Sequence, residues 1–181
     1  MSWQSDKAWS DRFIPTIKGI VGPHLLVEST IHVDQTQACD LIVLRARDMM
    51  IAARVRRPGY ADRYPLEFTI RSVRDTGAKT ELQKLTDGFG DWMFYAHAAD
   101  DTSAFLARWM LLDLNAWRGH LIRDRNAVQP EQKSNGDGTH FVAFNVQRFT
   151  GSPPLIVACS HPDEMRPLDK RFGESQKDAP R

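Results

Sequence analysis

Cysteine is nearly absent from this chain: there are two, Cys39 and Cys159, far apart and with no partner at metal-ligand spacing. That excludes a disulfide framework and makes a reducing cytoplasm the expected setting. No uninterrupted apolar run approaches the ~20 residues that a membrane helix needs, so no membrane partner is expected. The N-terminus has no basic region followed by an apolar stretch, so no secretory leader is expected. No glycine-rich phosphate loop follows an apolar run, which argues against dinucleotide-binding and Walker-type folds. The histidines are His24, His32, His97, His120, His140 and His161. None pairs as in His-Glu-x-x-His, so a zinc hydrolase is not indicated. Ser72, Ser103 and Ser160 lack the Gly-x-Ser-x-Gly elbow of a nucleophile triad. Lysine is missing from residues 45–74, where every cation is arginine.

What is present is an ordinary globular composition. The chain has 181 residues, 41% hydrophobic and 26% charged, enough for one sizeable core. Residues 1–160 read as one domain, and the polar, aperiodic stretch 161–181 as a loosely ordered tail. The net charge of +1 conceals an uneven distribution. Residues 45–74 hold Arg45, Arg47, Arg54, Arg56, Arg57, Arg63, Arg71 and Arg74 against Asp48, Asp62 and Glu67. Guanidinium is a planar fork suited to phosphate or carboxylate, so this segment points to nucleic acid or an acidic protein surface as partner. The plainer reading is a set of charges that keep strand edges soluble.

Apolar spacing at Trp9, Phe13, Ile17 and Ile20 predicts helix over 3–21, kinked or divided at Pro15. A strand is expected at His24–Ser29. Asp40–Leu44 and Ile51–Arg56 read as a β-hairpin around Arg47-Asp48. Glu67–Ser72 alternates as a strand, Thr80–Leu85 reads as a short helix ending near Gly88, and Trp92–His97 as a buried strand. Asp100-Asp101-Thr102-Ser103 reads as the cap of a helix at Ala104–Trp109, Met110–Leu114 as a strand or the end of that helix, and 115–123 as helical after it. Gln129–Asp137 reads as a polar loop, and Phe141–Phe149 and Leu155–Ala158 as strands. This order predicts an α+β or mixed α/β fold, with a single central mixed sheet flanked by helices.

Asp40-Leu41-Ile42-Val43, followed by Ile51-Ala52-Ala53-Arg54-Val55-Arg56 and then a helix, resembles the PD-(D/E)XK, restriction-endonuclease-like nuclease superfamily over roughly residues 9–97. Small phage or prophage proteins look similar. The resemblance implies a metal-dependent phosphodiesterase in which carboxylates hold Mg2+ or Mn2+ and the metal activates water. Asp40 would be the anchor ligand. The chain departs from the pattern at the next strand, where Arg54 and Arg56 stand at the acid and lysine positions, and guanidinium cannot ligate a cation. A second carboxylate is then sought at Glu67, with Arg71 as cation, or at Glu81, with Lys84 three residues on. The expected site is therefore catalytic Asp40, Glu67, Glu81 and Lys84, metal at Asp40 and Glu67, and nucleic-acid contacts at Arg54, Arg56, Arg57 and Arg71. Two functions follow: a divergent magnesium-dependent DNA endonuclease, or a catalytically inactive nuclease-fold protein. The second would bind DNA or an acidic protein as a phage accessory or host-defence-modulating factor. A homodimer through a sheet edge is also compatible with the arginine strand.

Overall fold

Pro15 divides the first helical stretch. In the computed structural model, α1 (Trp3–Asp11) ends before it and α2 (Ile14–Val21) takes it into the first turn. There its missing N–H costs nothing. A 3-10 turn over Gly22–Leu25 leads into β1 (Leu26–Glu28), which pairs antiparallel with β2 (Leu41–Val43). The structure describes residues 3–28, 41–43, 49–73, 79–124, 128–134 and 139–167. The chain forms two compact units, each assembled from separated segments: residues 1–65 with 90–112, and residues 66–89 with 113–181. The class is α+β, as the element order predicts, with the strands shared among more than one sheet. No helix of the described residues is long and apolar enough to cross a membrane.

In the first unit, β3 (Ile51–Arg56), β5 (Trp92–Ala98) and β6 (Leu106–Asp113) lie side by side in that order. Among the described residues, the expected β2–β3 hairpin is not formed. The described partner of β2 is β1, and β3 runs parallel to β5 from Ile51 opposite Trp92 to Arg56 opposite His97. A parallel pair needs a long crossover rather than a tight turn. Its start is fixed by Asp91: the carboxylate accepts the Met50 N–H at 3.0 Å, and the Asp91 N–H donates to the Met50 carbonyl at 2.8 Å. All of β5 is buried. Phe13, Ile17, Val21, Phe94 and Met110 join it in the core.

The helix expected at Ala104–Trp109 is strand β6 instead. The Asp100 carboxylate accepts the Thr102 and Ser103 N–H groups at 2.7 and 2.6 Å, so the polar cluster closes a loop rather than capping a helix. Hydrogen bonds from Ser103 and then Thr102 hold the Asp100 carboxyl well below the usual carboxylate range. The continuous apolar run Trp109–Leu112 fits a buried strand as well as a helix, which is why its pattern misleads.

The second unit contains an antiparallel sheet in the order β4 (Glu67–Val73), β8 (His140–Asn145), β7 (Glu131–Ser134). Strand β7 lies in the stretch expected to be a loop. Its polar, largely exposed sequence suits an edge strand, which gains its order from pairing rather than burial. Helix α5 (Leu114–Arg123) begins at Asp113, whose carboxylate accepts the Asn115 and Ala116 N–H groups. The core of this unit is aromatic. Phe68 stacks on Phe144 at 5.2 Å, and Trp117, fully buried, meets Phe144 edge-on at 5.7 Å. A last strand, β9 (Ile156–Cys159), follows. Of the expected tail, residues 161–167 are described, with Met165 buried, and residues 168–181 lie outside the described set.

Helix α4 (Glu81–Thr86) is set by its ends. Thr80 and Gln83 form a reciprocal capping box. At the other end the Phe89 N–H reaches the Lys84 carbonyl and the Gly88 N–H the Leu85 carbonyl, with Gly88 at φ +101°, a conformation that glycine adopts without strain. Replacing the cap, Thr80→Ala, is expected to lower stability by about 1 kcal/mol, read as a lower urea midpoint at unchanged slope. An unchanged midpoint would show that the cap contributes nothing.

Candidate anion-binding face

Strand alternation places Arg54 and Arg56 on one face of β3. The parallel register puts Arg54 opposite Tyr95 and Arg56 opposite His97 on β5. Tyr95 and His97 meet edge-on at 5.6 Å, as two residues on one face of a strand should. Strand β6 flanks β5 on the other side and carries Arg108. His97 therefore lies between two arginine-bearing strands. It is 1% exposed, and its Nδ1 is buried without a hydrogen-bond partner. Burial, followed by the charges of Arg56 and then Arg108, lowers the His97 pKa to about 4. The imidazole is neutral at physiological pH.

Aromatic rings steer the neighbouring guanidinium groups. Arg56 lies 4.7 Å from the Tyr60 ring centre, and Tyr60 stacks against Tyr64 at 6.2 Å. Tyr60 belongs to the short helix α3 (Tyr60–Arg63), and Arg63 lies 5.7 Å from the Tyr64 ring. Such cation–π contacts hold the fork in place. Arg57 is arranged differently. It packs on Trp9 at 4.4 Å and faces the carboxylates of Asp6 and Asp101 at 3.3 and 3.6 Å. Its charge is offset within the protein.

The other expected site residues divide as follows. Asp40 lies outside the described residues. Glu67, Arg71, Glu81 and Lys84 belong to the second unit, whereas Arg54, Arg56 and Arg57 belong to the first. The Glu67 carboxylate accepts from Lys133 Nζ at 2.9 Å across β8, and Lys133 also meets Glu131 at 3.2 Å. Burial alone would lower the Lys133 pKa, but hydrogen bonds and attraction from Glu67 and Glu131 outweigh it, and the pKa is raised. The ammonium stays charged against Glu67. The Glu81 carboxylate accepts the Arg71 N–H at 3.0 Å, beside a register shift in β4 between Arg71 and Val73. A bulge disturbs the ladder, and Glu81 supplies an acceptor there. Lys84 is exposed on α4.

Glu67 and Glu81 are thus each engaged within the protein. Glu67 is matched by an ammonium and Glu81 by a main-chain N–H, and among the described residues no three His, Cys, Asp or Glu side chains are grouped to hold a metal ion. From sequence, His97 is only the end of a buried strand, and Arg108 and Tyr60 carry no site signal. The only local signal is that Arg56 and His97 each close a strand; their adjacency depends on a long-range register. No protein-family model matches this chain, no curated protein matches it, and no solved structure matches its fold.

Proposed function

We propose that this protein associates with nucleic acid through the arginine-bearing face of its first unit, holding phosphates without cleaving them. The observation that carries the reading is the arrangement of Arg54 and Arg56 in register with Tyr95 and His97, with Arg108 on the flanking strand. Guanidinium groups at neighbouring strand positions suit a polyanion. The scaffold we propose is PD-(D/E)XK-like, with arginines at the positions where that family carries an acid and a lysine. The parallel β3–β5 pair supports it. The prior commitments of Glu67 and Glu81 favour binding over metal-dependent cutting. A cytoplasmic setting, where nucleic acid is at hand, agrees with two widely separated cysteines.

The test is incubation of duplex and branched DNA with stoichiometric protein in Mg2+ or Mn2+, together with a mobility-shift assay. We expect retarded but intact DNA with either metal. Cleavage that depends on metal and disappears in Asp40→Ala would replace the binding reading with the nuclease one. Absence of any retardation at low salt would reject both.

A further inference from the structure

Strand β3 ends at Arg56, and the turn at Pro58-Gly59, with Gly59 at φ +84°, starts the short helix α3 directly after it. That helix sets Tyr60 and Tyr64 one turn apart, where their rings stack at 6.2 Å with 27° between the planes. Arg56 lies over the Tyr60 ring at 4.7 Å and Arg63 over the Tyr64 ring at 5.7 Å. Two guanidinium groups and two phenol rings thus make one cluster of flat groups, all in the first unit. Tyr60 is 37% exposed and Arg63 is exposed, so the cluster lies at the surface and not in the core. A planar cation has two faces. A ring covers one of them, and an exposed side chain offers the other to a second flat group.

We propose that Arg63, backed by Tyr64 and Tyr60, is a stacking platform for an unpaired nucleobase, so that the nucleic acid this unit takes is single-stranded. The inference rests on the reading of the first unit as nucleic-acid-binding and narrows it to a class of strand. Charge and shape together select this occupant. Residues 56–64 carry Arg56, Arg57 and Arg63 against Asp62, a balance that suits a polyanion. A polyanion that also presents flat π-faces is a nucleic-acid strand with its bases unpaired; in a duplex those faces are stacked on one another. An acidic peptide matches the charge but brings no such row of flat groups. The platform makes no demand on the in-plane N–H groups of the arginines, which keep the acceptors they already have, because stacking uses the face of the plane and not its edge. Lysine could not replace Arg63 here, since an ammonium has no plane.

The experiment measures binding of the full chain, by fluorescence anisotropy at low salt, to three oligonucleotides of one length: an adenine-rich single strand, a single strand with abasic sites in place of its bases, and a duplex. The two single strands carry the same charge, so the difference between them reports the bases alone. We expect the adenine strand to bind about tenfold more tightly than the abasic one, the gain that a stacked base supplies. Arg63→Lys keeps the charge and removes the plane. It should erase that advantage while leaving the abasic strand and the duplex bound as before. In the wild type, the adenine strand should move the Arg63 Nε–H signal upfield in NMR spectra, through the ring current of the stacked base, and the abasic strand should not. Equal affinity for the two single strands with that signal unmoved overturns the inference and leaves phosphate binding standing. An advantage that survives Arg63→Lys overturns it as well, since the bases then stack elsewhere, and so does an equal loss of duplex binding in that variant. Failure of all three to bind overturns the nucleic-acid reading itself. The wild-type NMR arm keeps the test decisive should Arg63→Lys fold poorly.

Discussion

Raising the salt from about 50 to about 200 mM should weaken DNA binding about fortyfold, if Arg54, Arg56 and Arg108 each neutralise one phosphate. The estimate follows from counterion release: the logarithm of affinity falls with the logarithm of salt at a slope of about −0.9 per phosphate contact. Each of Arg54→Ala, Arg56→Ala and Arg108→Ala should make the slope shallower by about 0.9. Arg57→Ala should leave it nearly unchanged, because Asp6 and Asp101 already balance that guanidinium. Anisotropy titrations at four salt concentrations measure all of this. A wild-type slope near zero would remove phosphate contact from the account, and equal effects from Arg57 and Arg56 would remove this face as its location.

Acid should cost the protein roughly 3 kcal/mol through His97 as pH falls from about 6.5 toward 4. The sign follows from linkage. The folded-state pKa is lowered to about 4 from the ordinary 6.5, so between those values the unfolded chain binds a proton that the folded one refuses. Stability due to this residue is complete above the unfolded pKa and declines as pH drops toward the folded one. The window belongs to the imidazole. Urea unfolding at neutral pH and near pH 4 should show the loss in the wild type, and His97→Gln should remove most of it. Carboxylates lose their own contributions at acid in both proteins, so the difference between the two carries the result. Parallel pH profiles for wild type and variant would mean that the histidine is not held neutral.

Local pattern revealed much of the architecture and little of the pairing. Alternation at Glu67–Ser72, the aromatic run at 92–97 and the helical pattern at Thr80–Leu85 each mark an element that the fold contains; the strand expected over Phe141–Phe149 is present only to Asn145, where a 3-10 turn over Val146–Arg148 replaces it. The strand at Leu106–Asp113 was legible only from Met110 on, and there only as an alternative to helix, because an unbroken apolar run has no period. Glu131–Ser134 gives no such sign, because its order comes from its neighbour β8. The candidate face divides along the same line. Arg54 and Arg56 were visible as a period-two pair, but His97 and Arg108 join them only through the order of strands in a sheet, which no short window encodes. Glu67 illustrates the converse: its role as a metal ligand was weighed without sight of Lys133, since that lysine fell in a stretch read as loop.

The interleaving of the two units has a consequence for synthesis on the ribosome. Strand β3 is complete at Arg56, but its parallel neighbour begins only at Trp92. At translation speeds of about 5–20 residues per second, the nascent chain carries β3 without this partner for several seconds. An unpaired strand is open to wrong partners. The arginines at positions 54 and 56 give that waiting strand the like charge that keeps copies on neighbouring ribosomes apart, so the residues that would hold an anion in the finished protein would also guard its assembly.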